Sequence, residues 1–328
     1  PGKTYWDKSD LRLVLNLDNA GNPVTTAAAT GVEVRTMNDS VNSSATQKLN
    51  DPALCPGAIA TRSVGTTTSF YNNREARNIR MLEIDMQALL DCIHTQNLMV
   101  YEDGAFTGTV KPLNDTTEGG LVFYATVKGP NSATTNSGYG VRVRNAGTLA
   151  ATASGAPAIK GLTIISDQGL YTWGNYNSSS KKPAAFLVDS YNLLSSAFVD
   201  GAAWASRVPV NTTVNAAILA GTDITGGTEG AGGQDDGSYN GGLENYPRFH
   251  EDWSKSPQKT VTYAGSFVSL SAPRHVTGAW LYGSPQYTAP VRAWSYDTSF
   301  NNAENLPPIT PRFVYLRQQL FLRDYEQE

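Results

Sequence analysis

The sequence predicts a mainly β protein. An irregular right-handed β-helix is the first expectation and a two-sheet β-sandwich the alternative. Three observations carry this. Charged residues are only 16 % of the 328, against roughly 25 % in an ordinary soluble domain, and Ser, Thr, Asn and Gly fill the deficit. Apolar residues come in short runs broken by Gly, Asn or Pro, the signature of strands and turns rather than of a coiled coil or helical bundle. The runs start at irregular intervals, roughly 6 to 29 residues apart, which does not suit a propeller with fixed blades. Hydrophobic residues at 40 % supply a sizeable core.

The elements follow in order. Leu11, Leu13, Leu15 and Leu17 alternate with Arg12, Val14 and Asn16, a strand with one buried face. Gly21-Asn22-Pro23 ends it, and Val32 and Val34 suggest a hairpin partner. Residues 36–69 read as a long polar loop. Ile79, Met81, Leu82 and Ile84 form a short strand; Asp85 then caps a helix in which Met86, Leu89, Leu90 and Ile93 share one face. Beyond Leu121 come Leu121–Val127, Gly140–Arg144, Leu162–Ser166, Leu170–Gly174, Ala185–Asp189, Tyr191–Ser195, Val214–Gly221, Leu243–Phe249 and Thr260–Leu270. The pairs 162–166 with 170–174, and 185–189 with 191–195, are a tight turn apart and read as consecutive faces of one solenoid rung. The expected division is an α+β segment over 1–120, the solenoid over 121–295, and an extended tail over 296–328 that packs back through Phe313, Tyr315, Leu320 and Leu322. An open solenoid end must be covered, either by the helix near Leu89 or by another subunit.

Net charge is −4 and the isoelectric point about 5.5, so no basic field is available for nucleic acid. No apolar run approaches the ~18 residues of a membrane span. The chain opens at Pro1 without a Met or a signal peptide and reads as a processed or trimmed fragment. The two cysteines, Cys55 and Cys92, predict a disulfide worth about 4 kcal/mol in the chain-entropy account and an oxidising compartment.

The strings Gly140–Ala146, Gly161–Asp167, Leu170–Asn177, Pro183–Asp189, Val214–Gly221, Gly242–Phe249, Tyr263–Ser266, Trp294–Asp297 and Asn305–Arg312, preceded by Phe70–Ala76 and Leu82–Asp85, resemble the large C-terminal region of bacterial pilus-assembly proteins of the PilX type and related surface proteins. The similarity runs over residues 70–312. It implies an exported, envelope-associated protein with pilus or envelope partners, serving in assembly or adhesion, and it brings no catalytic residues.

Against that stand two chemical alternatives. Glu244, Arg248, His250, Glu251 and Asp252 form the densest polar cluster, and Glu244, Arg248 and His250 share a strand face by period 2. A polysaccharide-acting β-helix enzyme would use Glu244, His250 and Glu251 or Asp252 as its acids and bases; the plainer expectation is a structural Arg248–carboxylate pair. Tyr171, Trp173 and Tyr176, with Trp280, Tyr282, Tyr287 and Trp294, could form a glycan-binding platform or fill the core. Residues 222–242, rich in Gly with Asp223, Glu229, Asp235 and Asp236, match no calcium-loop spacing and read as an insertion. No zinc, phosphate-loop, dinucleotide or nucleophile-elbow signature occurs, so no cofactor or metal is expected. Asn38, Asn42, Asn114, Asn177 and Asn211 fit the glycosylation sequon.

Overall fold

The structure is a computed structural model that describes residues 4–62, 70–102, 106–130, 138–221, 246–269, 273–276, 278 and 281–310. Helix α1 (Thr4–Asp7) leads into β1 (Leu11–Asn16), and β2 (Val32–Val34) pairs with it antiparallel. Between them Asp18 accepts from the amides of Ala20 and Asn22, with Gly21 in the left-handed region at φ 79°. Helix α2 (Ser43–Asn50) lies where the sequence suggested only loop. Asn42 caps it by accepting from the Ala45 amide, and Ala45, Thr46 and Leu49 are buried. The apolar face is too narrow to announce itself by periodicity. Strands β3 (Ile59–Arg62) and β4 (Phe70–Asn72) pair antiparallel with β5 (Arg77–Asp85).

Helix α3 (Met86–Gln96) begins as expected, with the Asp85 side chain accepting from the Ala88 amide. Its buried face, Met86, Leu89, Leu90 and Ile93, packs into the main core, and Cys92 is disulfide-bonded to Cys55. Strands β6 (Val100–Glu102) and β7 (Phe106–Val110) form a small separate hairpin. The rest of the described strands are β8 (Leu121–Lys128), β9 (Gly138–Thr148), β10 (Leu162–Ile165), β11 (Gly169–Ser179), β12 (Ala184–Val188), β13 (Ser190–Leu194), β14 (Thr212–Ala220), β15 (Arg248–Phe249), β16 (Thr260–Ser269) and β17 (Val291–Tyr296).

Fifteen of these strands make one large, curled, mixed sheet, in place of the two facing sheets of a sandwich. Its parallel pairings fall into series. One runs β1, β8, β10, β12, then the C-terminal half of β14 and that of β16. Another runs β5, β9, β11, β13, β15. In a third, the N-terminal half of β14 meets Tyr176 of β11, and the N-terminal half of β16 pairs with β17. Long strands serve two series because they bend: β9 at Asn145 (φ 51°) and β11 at Gly174 (φ 84°). Residues on both sides of position 120 share the sheet, since β1 pairs with β8 and β5 with β9.

The concave side holds the core. Phe123, Ile164, Phe186, Ile218 and Phe267 stand in register on successive strands. Tyr176 and Tyr191 flank Phe186, at ring-centroid distances of 4.6 and 5.2 Å. After β17, Lys181 pairs with Asp297 at 2.8 Å, and the Pro308 carbonyl accepts from the Thr163 hydroxyl at 2.8 Å. The expected docking residues Phe313, Tyr315, Leu320 and Leu322 lie outside the described residues. Among the described residues no helix is long and apolar enough to cross a membrane.

Candidate functional site

Strict alternation in β5, β9, β11 and β13 sends one set of side chains to the core and the other to the convex face. Leu82, Val141, Leu170 and Tyr191 form one inward row. The outward row beside it is Glu83, Arg142, Tyr171, Asn192 and Arg248, one residue per parallel strand. On a solvent-facing sheet such a row would be wet. Here every member is buried, because segments around 70–76, 195–207 and 246–254 form a second layer with a small apolar cluster of Phe70, Ile79, Met81, Tyr171, Leu194 and Phe198.

At one end of the row Arg142, with no exposed surface, donates through Nε (2.8 Å) and Nη2 (2.6 Å) to Glu83 Oε2. It also donates through Nη1 and Nη2, both at 2.8 Å, to the two carboxylate oxygens of Asp200. Arg62 and Arg144 reach the other oxygen of Glu83 at 2.9 and 3.1 Å. Burial alone would raise the Glu83 carboxyl, but hydrogen bonds and charge from Arg62 and Arg142 hold it below its ordinary value. The Trp173 ring lies over the Arg142 guanidinium at 4.7 Å.

At the other end Arg248 pairs with Glu75 at 2.6 Å, whose second oxygen accepts from the Gly278 amide at 2.7 Å. A Cβ at Gly278 would collide with the Arg74 carbonyl oxygen, so glycine permits this approach. Arg74 donates to the Phe249 carbonyl at 3.3 Å and lies over the Tyr287 ring at 4.2 Å. Asn72 accepts from the amides of Arg74 and Glu75 and donates to the Tyr171 hydroxyl at 3.0 Å.

His250 is 1 % exposed; its Nε2 meets Asn192 Oδ1 at 2.9 Å. Burial, then the charges of Arg74, Arg248 and Arg207, drive its pKa well below the ordinary value, so the ring is neutral. Glu251 is completely buried and accepts from the Ser195 amide (2.6 Å) and hydroxyl (2.7 Å). Burial raises it to about 7 despite those bonds and Arg207. Asp252 is half-buried and accepts from the hydroxyls of Thr288 and Ser254.

Of the acid–base set read from the sequence, His250 and Glu251 are thus enclosed, Asp252 holds a turn, and Glu244 lies outside the described residues. The aromatic platform is also corrected. Tyr171 and Tyr176 are buried, on opposite faces, as their odd separation in an alternating strand requires. Trp173 is half-buried over Arg142. Tyr287 is buried and Trp294 half-buried; Tyr282 is exposed, and Trp280 lies outside the described residues, as do residues 222–242. Arg248 is buried and paired with Glu75. The sequence reading gave no role to Arg142, Glu83, Asp200, Arg74 or Glu75; a signal was available for Glu83 and Arg142, charged residues inside otherwise apolar strands, and none for the other three, which lie in turns.

No three His, Cys, Asp or Glu side chains among the described residues gather as metal ligands. Of the sequon residues, Asn42 caps α2 and Asn177 is buried, donating to the carbonyls of Lys182 and Asn215. Three grooves on the described surface, of about 290, 560 and 470 Å³, are lined by residues other than this polar row. Comparison with protein-family models, curated proteins and solved structures finds no match for this chain.

Proposed function

We propose that the chain is a non-enzymatic structural ectodomain of a bacterial envelope, associated with a pilus or another surface assembly, and that its sheet is wound as a parallel β-helix. In this winding β8 and the two halves of β9 make one rung, and β10 with the two halves of β11 the next. β12, β13 and the first half of β14 follow. The in-register parallel pairing of successive segments, each offset by one rung, supports that reading.

One observation carries the functional reading. The chemistry-bearing side chains are buried and engaged in fixing one layer of chain upon another. A polysaccharide-acting enzyme built on His250 and Glu251 would need them at a surface cleft, whereas both are closed in by neighbouring segments. A rigid polar row with charge-assisted bonds suits a part that must hold its shape between partners. The Cys55–Cys92 disulfide suits an oxidising compartment outside the cytoplasm, and the resemblance over residues 70–312 points to pilus-assembly proteins.

The test is to fractionate cells that make the full-length protein, purify their surface filaments and search for this chain by mass spectrometry. Co-purification with filaments is the expected result. Recovery solely as a free secreted protein, coupled with degradation of a polysaccharide by the purified chain, would overturn the proposal.

A further inference from the structure

A lysine and two aspartates converge at the entry of β1, away from the polar row. Asp10 immediately precedes β1. Its amide donates to the Val122 carbonyl at 2.7 Å, and its Oδ2 accepts from the Val122 amide at 2.7 Å. Lys111 directly follows β7, held by its amide on the Met99 carbonyl at 2.9 Å. Its Nζ meets Asp10 Oδ1. A turn over 112–115, closed by the Asp115 amide on the Pro112 carbonyl, brings Asp115 Oδ2 to 3.4 Å from the same Nζ. The side chains are nearly enclosed, 1 % exposed for Asp10, 10 % for Lys111 and 6 % for Asp115. By contrast, the ion pairs of Lys8, Lys128 and Lys181 leave at least 39 % of the lysine side chain exposed. The two carboxyls also differ. Burial raises Asp10 above its ordinary value, against the charge of Lys111 and the Val122 amide. Burial acts on Asp115 in the same sense, but bonds from the Tyr101 hydroxyl and from Thr117 hold it below its ordinary value. An amine thus lies between a carboxyl that keeps its proton more readily and one that gives it up.

We propose that Lys111 and Asp10 are joined by an isopeptide bond, Nζ to Cγ, which the folded chain forms by itself with Asp115 as proton carrier. Lys111 Nζ gives one proton to Asp115 Oδ2 and, as a free amine, attacks Cγ of the protonated Asp10 carboxyl. Charge developing on Asp10 Oδ2 is met by the Val122 amide, already in place. The C–N bond forms, the Cγ–Oδ1 bond breaks, and Oδ1 leaves as water. Of the three ammonium protons one stays on the amide, one leaves with Oδ1 and one remains on Asp115, which releases it to solvent. No oxidant or other reactant is needed. Contact between the groups replaces a bimolecular encounter, and enclosure disfavours the return of water. The bond closes a loop across 101 positions and ties the start of β1 to the segment that leads into β8. It secures the first strand whatever assembly the chain serves.

The test weighs the full chain, purified folded and then reduced and denatured, by intact mass spectrometry. A mass one water below that of the sequence is expected. Trypsin should then release Ser9–Arg12 attached through Asp10 to the peptide 81–128, in which Lys111 precedes Pro112 and is not cut. A chain of full mass would overturn the proposal. So would water loss without this branched peptide, since cyclisation at an Asp-Gly pair such as Asp200-Gly201 also sheds water. Lys111→Arg should keep the water, and its loss there counts against the bond. Asp115→Asn should form the bond at least about a hundredfold more slowly, read as the fraction bonded at successive times after synthesis. Fractions equal to the parent's refute Asp115 as carrier. Should either variant fail to fold, the branched peptide of the unaltered chain decides alone: its presence supports the proposal and its absence overturns it.

Discussion

Replacing Glu251 by Gln isolates the most perturbed carboxyl in the second layer. Burial pushes this group from its ordinary 4.5 up to about 7, against the two bonds from Ser195 and the charge of Arg207. A displacement of that size corresponds to about 3 kcal/mol between the two protonation states. Below about 4.5 the carboxyl is protonated in both the folded and the unfolded chain and contributes no pH dependence. Between about 4.5 and 7 the folded chain keeps a proton that the unfolded chain has released, so stability falls as pH rises; above 7 the full penalty is present. Gln resembles the protonated acid: its carbonyl accepts from the Ser195 amide, and its amide nitrogen donates to the Ser195 hydroxyl. The stability of Glu251→Gln relative to the parent should therefore grow by about 3 kcal/mol between pH 4.5 and 8. Urea titrations at several pH values, read by linear extrapolation, measure this directly. His250 acts in the opposite sense, since its lowered pKa contributes stability that is present above its unfolded value and lost as pH falls through the folded one. It is common to both chains, and Glu251 is not among the charges that shift it, so it cancels in the difference. A difference constant to within about 0.5 kcal/mol over that range would refute the account of Glu251 as a carboxyl enclosed by Ser195 and its surroundings.

Two further perturbations address the other ends of the architecture. Arg142→Met leaves Asp200 without its bidentate partner and should destabilise the chain by about 3–5 kcal/mol; adding Asp200→Asn should recover part of that loss, and urea midpoints that show no recovery would contradict the pairing. Cys55→Ala with Cys92→Ala opens a loop spanning 37 positions and should lower stability by about 4 kcal/mol; a reductant should reproduce the effect on the unaltered chain and leave the double variant unchanged.

What could be read from the sequence was what depends on neighbours in the chain. Asp85 followed by Met86, Leu89, Leu90 and Ile93 announced α3, and alternation in residues 11–17 announced β1. The two cysteines, with no others to choose from, announced their bond. What could not be read depends on distant chain. The Glu75 that receives Arg248 lies 173 positions earlier, and Asp200 is 58 positions from Arg142. Neither separation leaves a periodic trace. The aromatic string failed on faces and cover: Tyr171 and Tyr176 differ by an odd number of positions and stand on opposite faces, as alternation requires, and both are buried.

Alternation also misled about solvent. In a parallel sheet both faces are ordinarily covered, so the outward residue of an alternating strand is a statement about the covering layer rather than about water. Over β5, β9, β11, β13 and β15 the outward row is polar and the cover is held by ion pairs and directed hydrogen bonds, which fix position but contribute little net burial energy. Over β8, β10, β12, β14 and β16 the outward row is apolar, which supplies attraction without direction. The first face therefore fixes a single arrangement of its cover. The second offers surface that attracts without fixing a register, and at one end it meets the described chain at Tyr5 and Trp6.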